Sequence, residues 1–183
     1  MSPLETMTKL KIIKASSDTS TSVIMDFYQG ILDGMIGNPY RPLWRIGSYP
    51  SSEIIDSAIK NGELYIGYYE QKMVSSMIIN NHVDEGYEGV KWGVSARPEE
   101  VTSIHLLGVS PEHMGKGIGR SMMTHAIESA RKAGQKAVRI DTIHMNDPAH
   151  KLYIDMGFKL VESKKLSYSD VLTYDFLIFE YII

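Results

Sequence analysis

The stretch Val109 to Arg120, VSPEHMGKGIGR, constrains this chain more than any other. It follows an apolar, β-branched run, Thr102 to Val109 (TSIHLLGV), which reads as a strand. It opens a helical pattern from Gly115 to Ala133, in which Ile118, Met122, Met123, Ala126, Ile127 and Ala130 share one face and Gly134 supplies the stop. Gly115, Gly117 and Gly119 stand at alternate positions and remove the β-carbons that would hold a ligand off the backbone. Their amides, with those of Lys116 and Ile118, can converge at the positive end of a helix dipole. Lys116 and Arg120 add charge nearby. Such a turn suits a phosphate or pyrophosphate. The dinucleotide pattern Gly-x-Gly-x-x-Gly is not met, because the spacing here is Gly-x-Gly-x-Gly. No window supplies Gly-x-x-x-x-Gly-Lys-Ser/Thr.

Around this turn the chain alternates strand and helix signals. Lys9 to Ala15 is expected as a first strand. A helix is expected from about Thr21 to Leu32, with Val23, Ile24, Phe27 and Ile31 at helical spacing. A second is expected after Ser51, with Ile54, Ile55, Ala58 and Ile59 on one face. Glu63 to Tyr69 and Met73 to Ile79 flank a short turn at Glu70-Gln71-Lys72 and predict a hairpin. Asn80 to Glu100 reads as a long loop or an irregular strand extension. Lys136 to Ile143 is a strand, and Asp147 to Met156 a short helix for which Asp147-Pro148 supplies the N-cap and the proline of the first turn. Phe158 to Lys164 and Thr173 to Ile182 close the chain as strands. The order β-α-α-β-β-β-α-β-α-β-β implies one right-handed crossover with a parallel pair, and antiparallel neighbours on either side. The fold class expected is therefore α/β (α+β), a mixed and mostly antiparallel sheet with helices on both faces.

Composition limits the function classes. The chain has 183 residues, 43% hydrophobic and 22% charged, the balance of an ordinary globular protein. Residues 1–8 are expected as a flexible lead and 9–183 as a single domain. With 19 Lys+Arg against 22 Asp+Glu the net charge is −3, so neither nucleic acid nor an anionic membrane is an expected partner. There is no cysteine, which excludes disulfides, thiolate metal sites and a cysteine nucleophile. No run approaches the roughly 20 apolar residues of a membrane helix. The N-terminus lacks a signal-peptide core, and a cytoplasmic protein is expected. The histidines show no His-Glu-x-x-His pattern, and no metal site is expected.

The turn resembles the acyl-CoA signature of the GNAT superfamily of N-acetyltransferases, Arg/Gln-x-x-Gly-x-Gly/Ala after a strand ending in Val-x-Pro. Val109, Ser110, Pro111, Gly117 and Gly119 fall in place, while Met114 stands where that family usually has Arg or Gln. A second segment, Asn146 to Phe158 (NDPAHKLYIDMGF), is similar to the family's Asn-x-x-Ala-x-x-Leu-Tyr-x-x-x-Gly-Phe. Asn146, Ala149, Leu152, Tyr153, Gly157 and Phe158 all match. The resemblance covers Thr102 to Phe158. It implies acetyl-CoA as co-substrate and a GNAT-like sheet whose central parallel strands splay to admit it. The pyrophosphate would rest on Met114, Gly115, Lys116, Gly117, Ile118, Gly119 and Arg120. Leu107 and Val109 would offer main-chain groups to the CoA arm, and the Val109 amide would hold the oxyanion. Asn146 would bond the CoA arm, and the Tyr153 hydroxyl would protonate the departing thiolate. Gly108 suits a bulge or a close backbone approach.

The base and the acceptor are less sharply marked. Many relatives carry a Glu where this chain has Ser103, which cannot serve as a base. His105, two residues on and on the same face, has an ordinary pKa near 6.5 and suits the role; a half-buried sheet histidine is the equal alternative. His144 is a weaker candidate, and His82, His113, His125 and His150 are expected at the surface. In the loop Asn38 to Pro50, Trp44, Tyr40 and Tyr49 either wall an acceptor pocket or pin the loop to the core, with Arg41 and Arg45 available to a substrate carboxylate. Asp84, Glu85 and Glu88 either draw a cationic amine or form a solvated loop, and Trp92 is expected to pack. The expected activity is acetyl transfer to a primary amine of a small molecule by direct attack in a ternary complex. A non-catalytic acyl-CoA-binding module on the same fold is the alternative, and O-acyl transfer or a longer acyl donor a third. The last strand, FLIFEYII, is either internal or pairs across a homodimer.

Overall fold

In the computed structural model the described residues are 10–83, 85–167 and 173–183. Strands β1 (Lys11–Lys14), β2 (Leu64–Tyr69), β3 (Lys72–Asn80), β4 (Val101–Val109), β5 (Ala137–Ile143), β6 (Lys159–Ser167) and β7 (Thr173–Ile182) alternate with helices α1 (Thr21–Gly34), α2 (Ser52–Lys60), α3 (Ile118–Lys132) and α4 (Asp147–Asp155). The class is the mixed one expected, mostly antiparallel with one parallel pair, β4 with β5. The chain divides into two compact units. The residues up to Ile79 with His105–His125 form the first; Asn80–Ile104 with Ala126–Ile183 form the second. The expected lead at residues 1–8 lies outside the described residues.

In the first unit β1 pairs antiparallel with β2, and β2 with β3. The β2–β3 turn is tighter than its sequence suggests, because Glu70 and Gln71 both adopt positive φ, 49° and 65°. That conformation matches the twist of a two-residue hairpin. Gly67 faces Ser75 across the hairpin, and a β-carbon there would lie 2.1 Å from Ser75 Oγ. On α1 the buried face is Ile24, Tyr28, Ile31 and Leu32, which corrects the expected one. Val23 is exposed and Phe27 only half-buried; the phase of the helix follows Tyr28, whose ring is wholly inside. Helix α2 is capped as expected, Ser51 Oγ accepting from the Ile54 amide, and buries Ile55, Ala58 and Ile59.

In the second unit β7 lies between β5 and β6, so the apolar last strand is internal. The parallel register of β4 and β5 runs from Val101↔Ala137 to Ser103↔Arg139. The segment expected as a loop between β3 and β4 carries two short 3-10 turns, Glu85–Tyr87 and Pro98–Glu100. Tyr87 and Val90 enter a core with Leu166, Phe176 and Ile178. Trp92 packs, as expected, and does so on a charge: the Arg139 guanidinium lies 3.6 Å from its ring centre. Arg139 on β5 faces Glu180 on β7, at 3.1 Å, with both side chains buried. The second carboxylate oxygen of Glu180 accepts from the Gly93 amide at 2.7 Å. Burial pulls the Arg139 pKa down, and the Glu180 carboxylate opposes this. A charge pair taken out of water survives only with its hydrogen-bonding capacity filled, to which the Gly93 amide and the Val94 carbonyl, accepting from Arg139 Nη2 at 3.4 Å, contribute, while the indole face adds a cation–π contact.

Removing one partner would leave the other charged and buried. Glu180→Ala is expected to lose about 3–5 kcal/mol of unfolding free energy in urea titration, and the paired change Arg139→Met/Glu180→Leu less than the single one.

Candidate active site

The strand that leads to the glycine turn is not regular. Leu106 has a φ of +52°, a left-handed conformation rarely adopted by a branched residue. Its carbonyl accepts from the Tyr28 hydroxyl of α1 at 2.8 Å, in the interior. Burial raises the Tyr28 pKa, so this hydroxyl remains a donor. The irregularity expected at Gly108 therefore sits at Leu106, and Gly108 serves the other expected role, close approach. A β-carbon at Gly108 would meet Ile31 Cδ1 at 2.8 Å, Trp44 Cη2 at 3.2 Å and Tyr28 Cε1 at 3.3 Å. His105, Leu107 and Val109 are half-buried along the same strand.

Beyond Val109 the chain makes a short 3-10 turn at Pro111–His113, seated where Pro111 Cγ would lie 2.8 Å from a β-carbon on Gly34 at the end of α1. Helix α3 opens at Ile118 and not at Gly115, because Gly115 and Gly117 have φ of +74° and +83°, which a right-handed helix excludes. The glycines thus make the turn itself. A β-carbon on Gly115 would meet nothing within 4 Å, so the turn faces open space. The first amides of α3 have no acceptor within the helix. Together with the alternating glycine conformations they form a concave set of donors suited to an anion. Ile118, 1% exposed, anchors the helix from beneath, while Met114, Gly115 and Lys116 are exposed; Gly119 and Arg120 are half-buried.

The second motif lies in the second unit. Asn146, not Asp147, is the N-cap of α4: its Oδ1 accepts from the Ala149 amide at 3.4 Å and its Nδ2 donates to Thr142 Oγ1 at 3.3 Å. Tyr153 is 4% exposed, its ring against Phe158 and Phe179 at 5.9 and 5.4 Å. Burial raises its pKa above the ordinary tyrosine value, with a further push from Asp141, so the phenol holds its proton. Asp141 is the residue that sequence reading missed. It accepts from the Tyr87 hydroxyl at 2.7 Å. Its only signal is its place near the end of β5, two residues after Arg139 and so on the same face.

The acceptor-loop residues divide. Trp44 meets Tyr28 edge to face at 5.2 Å, and with Tyr49 it packs on the first unit's core, so the pinning role is met. Arg41 is exposed and donates from Nε to the Leu32 carbonyl at 2.9 Å, at the end of α1. Tyr40 is exposed. Three histidines expected at the surface are not there. His150 donates to the Ile143 carbonyl at 3.0 Å with its ring beside Phe179, while His125 and His113 are half-buried beside Tyr65 and Tyr69. His144 and His82 are exposed. Asp84 lies outside the described residues, and the Glu88 carbonyl accepts from Lys164. Among the described residues no group of three or more His, Cys, Asp or Glu could hold a metal ion, and no helix is long and apolar enough to cross a membrane.

Comparison with known proteins agrees with both motifs. The sequence pattern of the acetyltransferase (GNAT) family matches residues 35–158, and the chain belongs to that family. A streptothricin acetyltransferase of Streptomyces lavendulae is 41% identical over 56 residues, 31% of this chain and 30% of that protein. The N-alpha-acetyltransferase RimI of Mycobacterium tuberculosis is 30% identical over 83 residues, 45% of this chain and 50% of that protein. The first curated relatives are thus matched over about a third of their length or less. A GNAT-family acetyltransferase from Streptococcus agalactiae shares the fold with a TM-score of 0.77 at 17% identity, over 95% of both chains. The Salmonella typhimurium yncA structure, solved with acetyl-CoA, aligns with a TM-score of 0.63 at 13% identity over 94% of this chain and 93% of that one.

Tyr28→Phe removes the hydroxyl that α1 sends to the Leu106 carbonyl. A buried acceptor left without its donor costs about 1–3 kcal/mol, which urea unfolding of the variant should show.

Proposed function

We propose that this chain is an acetyl-CoA-dependent N-acetyltransferase that modifies a primary amine of a small molecule by direct attack. The observation that carries the reading is the turn at Gly115 and Gly117, both at positive φ, opening onto the first amides of α3. An anion bound there would anchor the donor by its pyrophosphate, far from the reacting carbon, and this is how remote binding energy positions a thioester. The acetyl-CoA in the yncA structure supports the choice of donor. We read 9–183 as one acyltransferase domain, because β4 and α3 each run unbroken through both compact units.

Each step has an assigned group. The acceptor amine gives up a proton to His105 or to water, since an ammonium has no lone pair. Its nitrogen then attacks the thioester carbon. The Val109 amide holds the oxyanion. The carbon–sulfur bond breaks, the thiolate takes its proton from the Tyr153 hydroxyl, and the proton that the new amide nitrogen sheds passes through water to restore the phenol. A phenol whose ionisation is pushed upward remains protonated across the working range, which favours this role. Asn146 and Leu107 contribute to the CoA arm. Tyr49 belongs to the acceptor side, with Trp44 at its border with the donor, and the streptothricin acetyltransferase relative favours a small-molecule amine.

Two measurements check the reading. Acetyl-CoA at 100 times its Kd should stabilise the wild type by about 2.7 kcal/mol, seen as a raised melting temperature that Gly117→Asp abolishes. Thiol release from acetyl-CoA, followed with lysine, spermidine and a short unblocked peptide, should favour the small amines; turnover on the peptide alone would reassign the acceptor. With the amine so identified, Tyr153→Phe should lower kcat by about a hundredfold or more while leaving CoA affinity near that of the wild type. Because the Tyr153 pKa is raised, the wild-type kcat profile should show no loss on the basic side up to the ordinary tyrosine value of 10.0.

A further inference from the structure

Gly108 and the side chains that close over it carry an inference about the donor, which rests on the acetyl-transfer reading above. A β-carbon on Gly108 would stand 2.8 Å from Ile31 Cδ1, 3.2 Å from Trp44 Cη2 and 3.3 Å from Tyr28 Cε1. Two helix side chains and one loop side chain therefore press on the bare backbone of β4, one residue before the Val109 amide. The wall is firmly backed. Tyr28 and Ile31 are 0% and 1% exposed, and Tyr28 is fastened to the Leu106 carbonyl. Trp44 stands perpendicular to the Tyr28 ring, with an interplanar angle of 90°. The loop that carries Trp44 is tied on both sides. Arg41 holds the Leu32 carbonyl, and the Arg45 amide donates to the Tyr49 carbonyl at 2.8 Å. The nearest atom, Ile31 Cδ1, is an aliphatic tip, but the Tyr28 and Trp44 rings are rigid and tied in place, and they do not give way to an added methylene as such tips would.

We propose that Trp44, backed by Ile31 and Tyr28, sets the length of the acyl group this protein accepts, admitting a two-carbon acyl thioester beside the Val109 amide and rejecting longer ones. Gly108 is then a specificity feature as well as a packing one. The indole is the part of the wall that can be trimmed, because it is half-buried while Tyr28 and Ile31 belong to the core.

Calorimetric titration tests this without knowledge of the amine. The probes are CoA, acetyl-CoA and propionyl-CoA, each against the wild type, Trp44→Ala and Trp44→Phe. One methylene against a packed wall is worth roughly ten- to two-hundredfold, so the wild type should bind propionyl-CoA at least about tenfold more weakly than acetyl-CoA. In Trp44→Ala the two should come within about threefold of each other, with Trp44→Phe between, while CoA, which has no acyl group, binds all three proteins alike. Equal binding of both thioesters by the wild type overturns the proposal. So does an unchanged preference in a folded Trp44→Ala. If circular dichroism shows that Trp44→Ala does not fold, Trp44→Phe decides by the same comparison. Failure of the wild type to bind CoA at all would defeat the donor-site reading itself; CoA binding without acyl discrimination defeats the length gate alone.

Discussion

A single hydrogen bond, from the Tyr28 hydroxyl to the Leu106 carbonyl, holds the segment on which the proposed chemistry depends. A left-handed leucine costs about 1–3 kcal/mol and persists only where its surroundings overdetermine it. Here α1 supplies that constraint at three successive places. Tyr28 takes the carbonyl of the kinked residue, Tyr28 and Ile31 close over Gly108, and the last turn at Gly34 meets Pro111 just before the glycine turn. The direction in which β4 leaves the kink, and the point where the glycines begin, are both fixed by one helix. That helix is fixed in turn by burial of Ile24, Tyr28, Ile31 and Leu32.

The second unit is ordered by charge as well as by apolar burial. Arg139 and Glu180 would be costly alone in the interior, and their pairing recruits Trp92, Gly93 and the Val94 carbonyl to complete the set. A long irregular segment thereby acquires a defined course without regular secondary structure. Tyr153 belongs to the same unit but owes its state to apolar neighbours. Phe158 and Phe179 exclude water from its ring and keep the phenol protonated.

The sequence disclosed the elements whose periodicity is strong. The buried face of α3 was read residue by residue, β7 matched its expected bounds, and the hairpin fell at the expected turn Glu70-Gln71-Lys72, with Lys72 taken into β3. The two motifs were legible because glycine, asparagine and tyrosine at fixed spacing are rare together. What escaped reading depends on partners distant in sequence. The phase of α1 turned on Tyr28, an aromatic with a polar end that finds its acceptor 78 residues away. The start of α3 turned on glycine conformations that a helical pattern conceals. Nothing local marks the Leu32 carbonyl as the acceptor of Arg41 Nε. His150 and Asp141 looked ordinary because their neighbours, Phe179 and Tyr87, come from other parts of the chain.

The division of the chain has a consequence for its biosynthesis. Neither compact unit is a contiguous piece of sequence: the first needs His105–His125, and the second needs Asn80–Ile104 together with everything after Ala126. The strand neighbours follow the same pattern, since β7, the last strand made, lies between β5 and β6. A nascent chain emerging from the ribosome therefore cannot complete its first unit until the glycine turn and half of α3 have been made. It then holds exposed apolar strands in waiting until the C-terminal residues arrive. Non-local pairing of this kind slows folding and prolongs exposure to aggregation. Loss of the last strand would leave β5 and β6 without the partner that joins them, so truncation late in the chain would be felt far from the site of the cut.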